Sequence, residues 1–170
     1  MNPLRLLRDL VTSLHGGADP RHVAAGFALG AALGLIPKGN LFAVVFLLIF
    51  FAFRLNKGMA LLSATVFTPI GYLIDSPAHK VGLALLKAPA LQGLWTALYD
   101  MPIVPLTRFN NSVVLGNLVF GLVLFIPLYF IGLRLAVSYN AVVAPYLERL
   151  KIVQAIKSMA WYQTYQKWAP

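Results

Sequence analysis

VAAGFALGAALGLIPKGNLFAVVFLLIFFAF, residues 23–53, holds two charge-poor apolar runs separated by Pro37–Lys38–Gly39–Asn40. The first run, Val23–Ile36, has 14 residues, and the second, Leu41–Phe53, has 13. At about 1.5 Å per residue each helix would cover roughly 20 Å, less than the roughly 30 Å of a bilayer's hydrocarbon layer. Apolar runs of this length suit re-entrant or core helices better than complete spans. We therefore read 20–53 as a short-helix, re-entrant hairpin turning at Pro37–Asn40. Asp19–Pro20 starts its first helix, since an Asp accepts from exposed N–H groups and a proline suits the first helical position.

Small residues mark one face of the first helix. Gly26, Gly30 and Gly34 recur every four residues, with Ala24, Ala28 and Ala32 on the next stripe. Such a face lets two helix backbones approach closely. The partner is either the second run, another span or another subunit. Lys38 and Asn40 either contact a lipid headgroup or other anionic ligand, or serve the helix ends, Lys38 by snorkelling and Asn40 as a cap.

Outward from the hairpin, Arg54–Leu55–Asn56–Lys57 separates it from a 17-residue run, Gly58–Ile74, interrupted by Pro69. We read 58–74 as a span, 75–112 as a surface segment and 113–133 as a second span of 21 uncharged residues. Asn117 lies inside that second span and is assigned to helix packing with the three glycines. Residues 1–18 read as an interfacial amphipathic helix, with Leu4, Leu7, Leu10, Val11 and Leu14 on one face that meets either the headgroup plane or the protein's own spans. Residues 1–22 do not read as a cleavable leader. Residues 141–170 read as a basic amphipathic helix with an aromatic tail, Trp161, Tyr162, Tyr165 and Trp168, suited to the headgroup level. Arg54–Leu55–Asn56 and Arg108–Phe109–Asn110 each precede an apolar run with a late proline. They are either a degenerate internal repeat or two independent Arg anchors with Asn caps, and Arg54, Asn56, Arg108 and Asn110 join Lys38 and Asn40 as candidate headgroup contacts.

Composition agrees with a membrane setting. Of the 170 residues, 59% are apolar and only 11% charged, with a mean hydropathy of +0.76. Soluble domains carry about 25% charge. The net charge of +9 sits in the gaps and the last stretch, which fits anionic lipid and cytoplasmic termini better than nucleic acid. With no cysteine there is no disulfide or thiolate site. His15, His22 and His79 are scattered, no two carboxylates pair, and no serine sits in a nucleophile elbow. The expectation is no enzyme, no metal and no cofactor.

One resemblance adds to this. Pro20, Ala25–Gly26–Phe27–Ala28–Leu29–Gly30, Gly34, Pro37, Gly39, Arg54–Leu55–Asn56, Thr68–Pro69 and Tyr72 together resemble the bacterial membrane family called domain of unknown function 2062. Where that family usually has Asn-Pro, this chain has Thr68–Pro69. The resemblance implies a helical inner-membrane domain without an assigned activity, sometimes joined to glycosyltransferases. The segment Thr107–Ser112 is similar to a standalone subgroup often encoded beside a larger envelope protein. No catalytic residues carry over.

The expectation is thus an all-α, polytopic helical membrane protein: the re-entrant hairpin, two longer spans and flanking interfacial helices. It would sit in the bacterial inner membrane with both termini cytoplasmic. Its function would be that of a non-catalytic subunit that anchors or assists a larger envelope protein in lipid or glycolipid transport. The alternative is a small lipid flippase or transporter acting alone. Membrane lipids, a larger envelope protein or a second copy are the expected partners, and nucleic acid is not.

Overall fold

The computed structural model describes residues 18–143. The helix expected at 4–14 and the aromatic tail Trp161, Tyr162, Tyr165 and Trp168 lie outside the described residues, as does nearly all of 141–170.

The fold is all-α. Helix α1 is Pro20–Leu35, α2 Leu41–Ala52, α3 Lys57–Leu73, α4 Asp75–Lys87, α5 Gln92–Tyr99 and α6 Ser112–Ser138. Local chemistry sets these boundaries. The Asp19 carboxylate accepts from the Arg21 backbone N–H at 2.8 Å, with Pro20 at the first helical position. Ile36 is extended, as a residue before proline tends to be. Gly39 then takes φ +84°, a left-handed turn that a side chain would strain. Asn40 caps α2 by accepting from Ala43 N–H at 3.0 Å, and Asn56 caps α3 by accepting from Met59 N–H at 2.8 Å. Asn111 caps α6, accepting from Val113 and Val114.

Helix α1 is the centre of the bundle and packs on α3 and α6 rather than on α2. A Cβ at Gly26 would overlap the Asn56 carbonyl oxygen. One at Gly30 would overlap that of Ala60, and one at Gly34 would meet Phe67 and Ala64. The pairings ascend together along both helices, so α1 and α3 run parallel. The glycine face therefore meets α3. The reason α2 is not the partner is bulk: it carries Phe, Leu, Val or Ile at nearly every position and has no small-residue stripe. It sends Phe46 and Phe50 into the core with Leu29, Ala32, Ile36 and Ala60, and leaves Val44, Val45, Leu47, Leu48 and Phe51 exposed. The 20–53 segment turns back at 37–40, yet the backbones of its two helices stay apart, and α2 meets α1 through side chains such as Phe46 and Phe50.

Helix α6 runs antiparallel to α1, with Gly121 against Ala32 and Gly132 against Ala24 and Phe27. Helix α4 meets α6 through two reciprocal glycines. A Cβ at Gly82 would overlap the Ser112 carbonyl oxygen, and one at Gly116 that of Ala78. So 75–112 is not only a surface segment: its first helix is packed. Helices α3 and α4 meet at a 73° bend around Ile74. Since α1 and α3 are parallel while α4 and α6 are antiparallel, the two Arg–x–Asn segments do not head equivalent helix pairs.

Two ends follow. Asp19, Asn56 and Asn140 share one: Asn56 N–H donates to His22 O at 3.0 Å, and the Asn140 side-chain amide donates to Ala18 O at 3.4 Å. Pro37–Asn40, Ile74–Asp75 and Asn111 share the other. Among the described residues one helical stretch, Ser112–Val142, is long and apolar enough to cross a membrane. Helices α3 and α4 reach that length only together, across their bend.

Candidate functional site

At the end where α1 and α3 stop and α6 begins, a cleft of about 190 Å³ opens. Pro37, Lys38 and Asn40 line it from the α1–α2 turn, Thr68, Tyr72 and Asp75 from the α3–α4 junction, and Arg108, Asn111, Val113 and Val114 from the start of α6. Lys38 closes the carboxyl end of α1. Its ammonium donates to the carbonyls of Leu33, Gly34 (3.2 Å) and Ile36 (2.9 Å), groups that a helix end leaves without partners. Burial against that end lowers its pKa below the ordinary lysine value. Asn40 donates to Pro37 O while capping α2. Both residues line the cleft while their polar atoms serve helix ends.

Arg108 differs. It has φ +55°, the one left-handed non-glycine among the described residues, a conformation costing about 1–2 kcal/mol for a residue with a Cβ. Its surroundings enforce it. Thr107 is buried, its hydroxyl donating to Val104 O at 2.6 Å and accepting from Phe109 N–H at 3.3 Å. Phe109 is buried, stacked on Trp95 at 5.7 Å and met edge-on by Tyr99 at 6.5 Å. Trp95 is itself fixed by an indole hydrogen bond to Leu85 O at 3.0 Å. Asn111 N–H donates to Arg108 O at 2.9 Å. This clamp holds Arg108 exposed at the cleft.

Asp75 begins α4 at the bend, and its carboxylate accepts from the Asn117 amide at 2.8 Å. Asn117 is fully buried in α6, and its own Oδ1 has no hydrogen-bond partner. Thus Asn117 does more than pack helices: it reaches an acid lining the cleft.

The six candidate contacts do not gather in one place. Lys38, Asn40 and Arg108 line the cleft. Asn110 is exposed nearby without lining it. Arg54 and the cap Asn56 stand at the opposite end of the bundle. Sequence reasoning took Asp75 only as a boundary and missed Asn111 and Tyr72 as lining residues. A signal for Asp75 exists, since it is the single acidic residue between Asp19 and Asp100; an acid set among apolar runs marks a functional candidate. At the other end a second cavity of about 630 Å³ lies between α1 and α6, bordered by Val23, Phe27, Met59, Gly132, Leu135 and Tyr139. Its walls are mostly apolar, and among the described residues only Ser138, Tyr139 and Asn140 bring polar groups to it.

These features define a class: an all-α protein packed through glycine faces, with broad exposed apolar surface, one helix of spanning length among the described residues and a polar cleft at one end. The chain belongs to the DUF2062 family, described as an uncharacterised protein conserved in bacteria, whose model matches residues 4–142. A protein of Treponema pallidum (strain Nichols), itself described only as uncharacterised, is 30% identical over 155 residues, covering 91% of this chain and 96% of that protein. No solved structure matches the chain.

Proposed function

We propose that this chain is a non-catalytic, multi-pass protein of the bacterial inner membrane. It anchors or assists a larger envelope protein that handles lipid or glycolipid. The observation that carries the membrane reading is the apolar surface of α2, α3 and α6. Leu48, Phe51, Val66, Val123, Ile126 and Leu135 are all exposed, and contiguous apolar patches of such extent are rare on soluble monomers. Arg54 and Lys57, with the basic residues after Arg134, favour a cytoplasmic setting for the end holding Asn56, and an outer setting for the cleft.

The subunit role draws on the paucity of paired acid and base groups and on the likeness of the segment Thr107–Ser112 to a standalone subgroup often encoded beside a larger envelope protein. The test is crosslinking in native membranes followed by affinity purification and mass spectrometry of protein and lipid. A larger envelope protein recovered in fixed ratio supports the role. Recovery of the chain alone, with lipid movement by the purified protein in liposomes, replaces it with the flippase reading. That second reading has one observation in its favour, the broken helix pair α3–α4 with Asp75 at the break, since discontinuous helices mark the binding sites of many transporters.

A further inference from the structure

Most polar groups lining the cleft are already engaged. The Lys38 ammonium holds three carbonyls, Asn40 and Asn111 cap helices, and the Thr68 hydroxyl donates to Ala64 O at 2.7 Å. Two charged groups remain. Arg108 has no side-chain partner among the described residues, and Asp75 is held by Asn117 through one oxygen only. They line the same cleft without forming an ion pair with each other. We propose that this cleft binds a zwitterionic phosphoamine group, with the phosphate on Arg108 and the ammonium on Asp75, as in the headgroup of an aminophospholipid.

The sign pattern selects that chemistry. A simple anion entering the cleft would meet the Asp75 carboxylate, and a simple cation would meet Arg108 and Lys38; in a partly desolvated cleft either repulsion is costly. A ligand that carries both charges satisfies both sides. Size points the same way, because about 190 Å³ falls below the roughly 300–1,000 Å³ of sites for drug-sized molecules and leaves no room for a sugar chain. Arginine suits the phosphate through its planar fork of donors. Tyr72, 70% exposed, lines the cleft with Asp75 and offers a ring that a cation can face. Leu73, the next residue in α3 and 81% exposed, offers acyl chains an apolar surface at the same end of the bundle. The lipid as the source of the group rests on the membrane reading above; the cleft's choice of charges does not.

The test uses the full chain purified in detergent and offered equimolar phosphatidylethanolamine and phosphatidylglycerol, with bound lipid read by native mass spectrometry. Phosphatidylethanolamine adducts should exceed phosphatidylglycerol adducts by about tenfold, the scale of one charge-assisted hydrogen bond. Asp75→Asn should bring that ratio near one. Arg108→Asn, chosen because Asn tolerates the left-handed backbone, should lower both adducts, and Arg108→Lys should restore part of the binding, which a purely structural role would not do. Circular dichroism melts identify any variant that fails to fold. A ratio near one for the unmodified chain, or a ratio unchanged by Asp75→Asn, overturns the proposal. Soluble phosphoethanolamine that competes with the lipid shows recognition of the headgroup alone; lipid preference without competition assigns the site to the membrane-borne form. Should the chain stay monodisperse without detergent, the membrane reading falls. The site then stands or falls on whether soluble phosphoethanolamine binds the unmodified chain and binds Asp75→Asn about tenfold less tightly.

Discussion

Arg108 and Gly30 show how single positions can be separated by what a Cβ would do. At Arg108 the backbone is left-handed although the residue bears a side chain, and the buried neighbours Thr107 and Phe109 hold it there. Arg108→Gly should therefore raise thermal stability, by about 1 kcal/mol, while removing the guanidinium; a melt of the purified variant checks it, and a drop in stability would show that the guanidinium itself holds the loop. At Gly30 the Ala60 backbone occupies the space of any side chain. Gly30→Leu should destabilise the fold by at least the 1–3 kcal/mol typical of overpacking. Gly93 provides the contrast, since it lies in α5 with nothing within 4 Å of a built Cβ. Gly93→Ala should stabilise by about 0.5–1 kcal/mol. Equal effects at the two glycines would mean that the α1–α3 contact is not what makes Gly30 necessary.

At the scale of elements, the α4–α6 contact decides whether Asp75 stays with Asn117. Gly82 and Ala78 on α4 interlock with Ser112 and Gly116 on α6, and the Asp75–Asn117 hydrogen bond lies at one end of that seam. Gly82→Val should part the two helices and free Asp75. Disulfide crosslinking between cysteines placed at His79 and Ser112, whose side chains meet at 2.6 Å across the seam, would report the change, with a lower crosslinking yield expected in the Gly82→Val background. The same comparison shows what was legible in the sequence. Helix ends were, because Asp19–Pro20, Gly39–Asn40 and Asn56 act on backbone groups within three residues of themselves. The small-residue face of α1 was legible as a face but not as a pairing. Its partner, α3, begins 31 residues after Gly26, and only the bulk of α2, set against the small Gly58, Ala60 and Ala64 of α3, decides between them. The cleft was half legible. Lys38, Asn40 and Arg108 stood out as polar groups between apolar runs, but their convergence with Asp75 depends on the 73° bend, and nothing local at Ile74 dictates that angle.

For the molecule as a whole, the testable quantity is which end faces which compartment. The chain has no cysteine, so single cysteines give a clean label. Arg54→Cys and Asn110→Cys are both exposed and lie at opposite ends of the bundle. In intact cells a membrane-impermeant maleimide should label residue 110 and spare residue 54 until the membrane is opened. Labelling of both without lysis would remove the multi-pass arrangement, and the reverse pattern would invert it.

Helix lengths across the bundle are unequal. The stretch Ser112–Val142 has 31 residues, while α1, α2 and α3 have 16, 12 and 17. At about 1.5 Å per residue the long stretch exceeds a hydrocarbon layer of about 30 Å, and the three short helices fall beneath it. Set in a bilayer, the short flank would draw the two leaflets toward each other, at a fraction of a kcal/mol per Å of mismatch, while the long helix would tilt. The lipid around this protein would then be pinched on one side only, and its neighbours in the membrane would meet a lopsided annulus.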